Sequence, residues 1–319
     1  MNYESGGLKD LVSTDSLSRS DVEMLLDTAA IYAKDPLRDS KFLANQTVVI
    51  YMNKASTRTR LASETAVAHL GGTPIFVRGD ELQIGRGETL PDTAKVISGF
   101  AKAMIIRTYA QSDVAELAKH ASIPIINALT DDDHPTQLLA DWLTIRESFG
   151  SDITGRKFVY LGDGNNMSHA WLTMGAIMGA HVVAATPSGK WAPNADVVAK
   201  AKAIAKKTGA TIEVTNDPES AAQGASALYT DVWMSMGDPE AERAEKIKVL
   251  APFAVTESLM ALTAKDSIFM HCLPAHRGEE VAASVIDGNK SVIWREAYHR
   301  RTTIQALLYH LTRGELKGN

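Results

Sequence analysis

Short apolar runs alternate with longer amphipathic ones along the whole chain. Thr47–Met52 reads Thr-Val-Val-Ile-Tyr-Met, a compact β-branched and aromatic run that suits a strand. Pro74–Val77, Ala103–Arg107 and Pro124–Asn127 are further strand candidates, separated by helical patterns. Ser18 to Lys34 is the first helix candidate. It opens on a cap-like Ser18-Arg19-Ser20-Asp21 and then sets Val22, Leu25, Leu26, Ala29 and Ala33 at helical spacing. The stretch after Met52 reads as a helix ending at Gly71-Gly72. Pro135 to Phe149 predicts one long helix, with proline in its first turn and Gly150 beyond its end. A second series follows, with strand candidates at Lys157–Leu161, His181–Ala185, Thr211–Val214, Ala225–Thr230 and Ser267–Met270. Ala297 to Leu311 closes it as an apolar-faced helix. This alternation implies parallel sheets covered on both faces. The expected fold is therefore α/β, with two doubly wound parallel-sheet domains joined by a long inter-domain helix and a C-terminal helix. The first domain is expected over residues 1–150, completed by 297–319, and the second over 151–296.

Composition narrows the function more than the fold. A length of 319 residues suits two domains, and 45% apolar with 22% charged residues suits a full core. A net charge of −5 offers no basic field to nucleic acid, and 6% aromatic residues supply few stacking platforms. Cys272 is the sole cysteine, so no intrachain disulfide forms, which fits a reducing compartment. No apolar run approaches membrane-spanning length, and the first residues show no secretory pattern, so a cytoplasmic protein with no membrane partner is expected.

In open parallel sheets ligands bind beyond the carboxyl ends of the strands. Polar clusters fall at six such ends here: Ser56–Arg60, Arg107, His134, Asn165-Asn166, Asp231 and His271-Cys272. Ser56-Thr57-Arg58-Thr59-Arg60 combines hydroxyls, guanidinium groups and the N–H groups of a helix start, a set that binds phosphate. A capped surface helix with solvated arginines is the plainer reading. The glycine framework of a Walker loop is missing. In His134-Pro135-Thr136-Gln137 the histidine suits polarising a carbonyl and Gln137 suits bonding an amide or amine; alternatively His134 is only a polar helix cap. Asp231 suits a substrate ammonium group with Ser235 assisting, unless Asp231 to Gly237 is an ordinary loop before a helix.

Two tempting motifs fail. Gly162-Asp163-Gly164-Asn165-Asn166 lacks the third glycine of a dinucleotide fingerprint, because Met167 stands there. His271-Cys272 raises a zinc site, but such a site wants about four ligands and no paired set is visible. No metal and no organic cofactor is expected.

Taken in order, Ser-Thr-Arg-Thr-Arg, a strand-ending arginine and His-Pro-x-Gln resemble the carbamoyl-phosphate half of the aspartate/ornithine carbamoyltransferase family. Gly162 to Asn166, Asp231 with Ser235-Met236-Gly237, and His271-Cys272-Leu273-Pro274 resemble its ornithine branch. The likeness runs from about residue 8 to about residue 313. It implies that Ser56, Thr57, Arg58 and Thr59, with Arg107, hold the phosphate of carbamoyl phosphate. His134 and Arg107 face its carbonyl oxygen, while Gln137 and the carbonyls of Cys272 and Leu273 accept from its nitrogen. Arg300 matches a late arginine reaching the same ligand, and Gln83 matches a residue reaching a neighbouring subunit's site, which implies a homotrimer. Asn166 and Met236 would meet the ornithine carboxylate, and Asp231 and Ser235 its α-amino group. The implied reaction is attack of the ornithine δ-amine on carbamoyl phosphate, giving citrulline and phosphate. Arg107, His134, Asp231 and Cys272 would be its catalytic residues, with Cys272 and Asp231 helping to deprotonate the amine. The rivals are a carbamoyltransferase for putrescine, aspartate or N-acylated ornithine, and a non-catalytic binding subunit of the same fold.

Overall fold

A computed structural model describes residues 7–84, 87–234 and 240–313. The chain divides into two compact units, one formed by residues up to Leu143 and from Tyr298 onward, the other by Thr144–Ala297. In the first unit the order is α1 (Arg19–Lys34), β1 (Thr47–Met52), α2 (Thr57–His69), β2 (Thr73–Arg78), α3 (Leu90–Ser98), β3 (Ala103–Arg107), α4 (Gln111–His120), β4 (Ile125–Leu129) and α5 (Pro135–Phe149). The second continues with β5 (Lys157–Leu161), α6 (Asn166–Met178), β6 (His181–Ala185), α7 (Ala195–Thr208), β7 (Thr211–Thr215), α8 (Pro218–Ala222) and β8 (Ala227–Thr230). It ends with α9 (Arg243–Leu250), α10 (Glu257–Ala261), β9 (Ile268–His271), α11 (Ala283–Ile286) and α12 (Ile293–Thr312). The unit divisions fall inside α5 and α12, so each of these helices contributes residues to both.

Each unit is built on one parallel sheet, ordered β2-β1-β3-β4 in the first and β7-β6-β5-β8-β9 in the second. This is the expected α/β architecture of two doubly wound sheets. The central strands are buried along nearly their whole length, which is why they read as unbroken apolar runs. Edge strands β2 and β7 alternate instead. Val49, Tyr51, Met104 and Ile106 pack against Val114 and Leu117 of α4 in one core. Val159, Leu161, Leu228 and Phe269 pack against Val255, Val281 and Ile293 in the other. Ser18 caps α1 in a reciprocal box with Asp21, worth about 1 kcal/mol.

Some boundaries differ from expectation. β4 runs to Leu129 rather than Asn127, because the ladder continues past a register shift at Ile106/Arg107. β7 runs to Thr215, β8 begins at Ala227, and β9 spans Ile268–His271, one residue later than read. α12 starts at Ile293, four residues before Ala297, and its first turn supplies the fully buried Glu296. Among the described residues no helix is long and apolar enough to cross a membrane.

Candidate functional site

Strand order in the first sheet reverses between β1 and β3, and in the second between β5 and β8, so each sheet opens a crevice at its switch point. Register brings the relevant strand ends level. Met52 pairs with Arg107, so the loop into α2 starts beside Arg107. In the second unit Leu161 pairs with Thr230, and Thr230 with His271, so Gly162, Asp231 and Cys272 follow from one level.

In the first unit Ser56 is the N-cap of α2, its hydroxyl accepting from the Thr59 N–H at 3.3 Å. Thr57, Arg58 and Thr59 form the first turn, whose N–H groups carry the positive end of the helix dipole. Arg300 of α12 donates through Nη1 to Gln137 Oε1 at 2.5 Å and through Nη2 to Thr59 Oγ1 at 3.2 Å. Gln137 donates through Nε2 to Asp141 at 2.7 Å, which fixes its amide orientation with Oε1 toward Arg300. Arg107, His134, Gln137, Thr59 and Arg300 are all buried. Burial holds the His134 imidazole well below its ordinary pKa, and the guanidinium groups of Arg300, Arg107 and Arg58 press the same way. His134 is therefore neutral within a cationic field, a hydrogen-bonding group rather than a charge.

The turn before α5 is set by Asp133, a residue the sequence reading passed over. Asp133 accepts from the Thr14 N–H at 2.5 Å, the Thr14 hydroxyl at 2.8 Å and the His134 N–H at 2.8 Å. Burial outweighs these donors and pushes its pKa up to about 6. Nothing local marks Asp133, because its main partner lies at Thr14, far away in sequence.

In the second unit Asn165 caps α6, its Oδ1 accepting from the N–H groups of Met167 at 2.9 Å and Ser168 at 3.2 Å. Its Nδ2 donates to Asp231 Oδ2 at 3.1 Å, and Tyr160 donates to its Oδ1 at 3.1 Å. The Cys272 thiol donates to Asp231 Oδ1 at 2.9 Å. Burial, then the Asp231 carboxylate, raise the Cys272 pKa well above its ordinary value. The thiol therefore stays protonated near neutrality, with its hydrogen directed at Asp231.

The glycines that tempted a dinucleotide reading serve the backbone. Gly162 has φ +131°, and a Cβ at Gly164 would meet the Ala192 carbonyl carbon at 2.2 Å. Asn166 is the first residue of α6. Leu273 is half-buried with φ +58°. Gln83 is exposed and has no hydrogen-bond partner among the described residues. Ser235 and Met236 lie outside the described residues. The cap signal in the sequence sits at Asn165, an asparagine immediately before an apolar run, with Asn166 opening the helix.

Asp231, His271 and Cys272 bring three possible metal-ligand atoms within 4.8 Å. The set does not fit a zinc centre. It is one ligand short of a closed site, and both His271 ring nitrogens are engaged, Nδ1 by the Leu273 N–H at 2.8 Å and Nε2 by Glu280 at 3.2 Å.

With this geometry in view, two family models match the chain. The aspartate/ornithine carbamoyltransferase carbamoyl-P binding domain covers residues 9–147, and the Asp/Orn binding domain covers 154–311. The chain is 47% identical over 313 residues to an ornithine carbamoyltransferase of Oceanobacillus iheyensis, spanning 97% of this chain and 96% of that one. Among solved structures it is similar to the ornithine carbamoyltransferase from Pyrococcus furiosus, with TM-score 0.91, 42% identity and coverage of 96% and 98%. It is also similar to the ornithine transcarbamoylase from Giardia lamblia, with TM-score 0.88, 35% identity and coverage of 96% and 99%. A doubly wound α/β transferase is thus the class to which fold and site point. The chain belongs to the aspartate/ornithine carbamoyltransferase family.

Proposed function

We propose that this protein is an ornithine carbamoyltransferase, moving the carbamoyl group of carbamoyl phosphate to the δ-amine of L-ornithine. The observation that carries the reading is the neutral, buried His134 among Arg58, Arg107 and Arg300 beside the first turn of α2. Such a set matches a ligand with a dianionic phosphate and an adjacent carbonyl. Ser56, Thr57, Arg58, Thr59 and Arg107 take the phosphate, and Arg107, His134 and Thr59 face the carbonyl oxygen. Gln137, Cys272 and Leu273 offer oxygens to the carbamoyl nitrogen, and Arg300 braces Gln137 and Thr59 while reaching the same ligand. Asp231, with Ser235, takes the α-ammonium of ornithine, and Asn166 and Met236 take its carboxylate. On this reading most carbamoyl phosphate ligands come from the first unit, and the ornithine ligands from the second.

The amine lone pair attacks the carbonyl carbon, negative charge builds on the carbonyl oxygen, and collapse breaks the bond to the phosphate oxygen. One proton leaves the attacking nitrogen, with Asp231 or the departing phosphate as acceptor. A free alkyl amine has a pKa near ~10.4, so the site must select or create its neutral form. Positioning of two bound reactants supplies up to ~7–11 kcal/mol of the barrier reduction. We further assign the chain to cytoplasmic arginine metabolism as a homotrimer in which Gln83 serves a neighbouring subunit's site.

The test is citrulline production by purified protein from carbamoyl phosphate and ornithine, beside parallel reactions with putrescine, aspartate and N-acetylornithine. Turnover with ornithine alone is expected. Preference for another acceptor would overturn the reading of Asp231, and no turnover with any acceptor would favour a binding subunit.

A further inference from the structure

His271 touches no substrate in the proposed reaction, yet it organises the backbone that does. It ends β9 and is 1% exposed. Its Nδ1 accepts from the Leu273 N–H at 2.8 Å, closing a small ring over Cys272. An accepting Nδ1 has no proton, so the single proton of a neutral ring sits on Nε2. That nitrogen lies 3.2 Å from Glu280 Oε1, and both side chains are fully buried. Glu280 Oε1 is itself held by the His276 N–H at 2.5 Å. At the other end of the residue, the His271 N–H donates to Glu296 Oε2 at 3.0 Å. Two buried carboxylates on separate segments therefore fix the ring, its tautomer and its height along β9.

The need for such a brace is visible in the next turn. Leu273 has φ +58°, a left-handed conformation that a side chain with a Cβ rarely adopts. A backbone in that region persists where its surroundings over-determine it. The bond from Leu273 N–H to His271 Nδ1 is the contact that ties this peptide unit down. If it is lost, Leu273 relaxes toward negative φ, and the carbonyls on either side of that peptide swing away.

We propose that His271 is a positioning residue, a neutral imidazole locked by Glu280 that sets the Cys272–Leu273 carbonyls for the carbamoyl nitrogen. This rests on the carbamoyltransferase reading above. The two ring nitrogens are separable by substitution, because an asparagine amide reaches about as far as Nδ1 and a glutamine amide about as far as Nε2. His271→Asn retains an acceptor for Leu273 and gives up Glu280, whereas His271→Gln retains the Glu280 bond and gives up Leu273. Steady-state constants for both substrates, with thermal unfolding of each variant, make the test. The carbamoyl phosphate KM of His271→Asn is expected to stay within about 3-fold of wild type. That of His271→Gln is expected to rise about 10-fold or more, the scale of one lost hydrogen bond, with the ornithine KM little changed in either. A residue that served only packing would show no such split. Equal constants in the two variants, a reversed order, or failure of His271→Asn to fold would each overturn the proposal. A folded, near-normal His271→Asn beside an unfolded His271→Gln would support it. Wild-type turnover in the same assay separates the failures, since its absence refutes the reaction rather than the role of His271.

Discussion

Replacing Asp133 with asparagine isolates a single buried ionisation. Asp133 takes three donors, from the Thr14 N–H, the Thr14 hydroxyl and the His134 N–H, all of which favour the carboxylate. Burial opposes them and wins, raising the pKa from 3.8 to about 6. The sign follows. The folded protein prefers the protonated acid, so the stabilising contribution is complete below 3.8 and is lost as pH rises through about 6. A shift of about 2 units, at about 1.4 kcal/mol each, makes the ionised side chain cost roughly 3 kcal/mol at neutral pH. Asparagine keeps the shape of the acid and never ionises, but its Nδ2 has no lone pair to accept a bond, so one acceptor is lost equally at every pH. Urea unfolding of wild type and Asp133→Asn at pH 4, 5, 6 and 7 therefore has a defined expectation. The stability of the variant relative to wild type rises by roughly 2 kcal/mol from pH 4 to pH 7, on top of a pH-independent loss from the missing acceptor, with the same dependence on urea. A difference that is flat across this range would refute the reasoning. So would a variant that loses ground as pH rises, because then the three donors outweigh burial and the ion is the favoured state.

Two other expectations concern the chemistry. On the proposed assignment of Arg107 to both phosphate and carbonyl oxygen, Arg107→Gln should raise the carbamoyl phosphate KM by roughly 10- to 100-fold and lower kcat by roughly 10²-fold or more; unchanged steady-state kinetics would refute that assignment. Because the Cys272 thiol is held protonated by burial and by Asp231, its alkylation by iodoacetamide at pH 7.5 should run at least about 10-fold slower than that of an unhindered thiol. Peptide mass spectrometry across pH 7–10 should show that rate still climbing above pH 9, and a plateau near pH 8 would contradict the assignment.

Much of the fold was legible because the central strands are buried on both faces. β1, β3, β5 and β6 occupy the spans their apolar runs predict, and α5 is punctuated by Pro135 and Gly150 as read. What escaped depended on partners distant in sequence. The early start of α12 delivers Glu296 to the His271 N–H, a requirement absent from the local pattern around residue 293. Asp133 is invisible without Thr14, and the tie between Glu280 and His271 spans a turn that spacing alone does not describe. Arg300 entered through family resemblance alone, since its value lies in meeting Thr59 and Gln137 from 241 and 163 residues away. Local motifs mark which strand ends carry chemistry; the braces behind them are long-range and leave no periodic trace.

That distance along the chain also sets an order of events during synthesis. Every strand of the first sheet has left the ribosome well before Arg300 is made, yet Thr59 and Gln137 await that guanidinium. A nascent or truncated polypeptide that stops short of α12 contains the whole sheet and the Ser56–Thr59 turn, but not the brace that joins α2 to α5. The brace between α2 and α5 is therefore the last part of this turn region to be made.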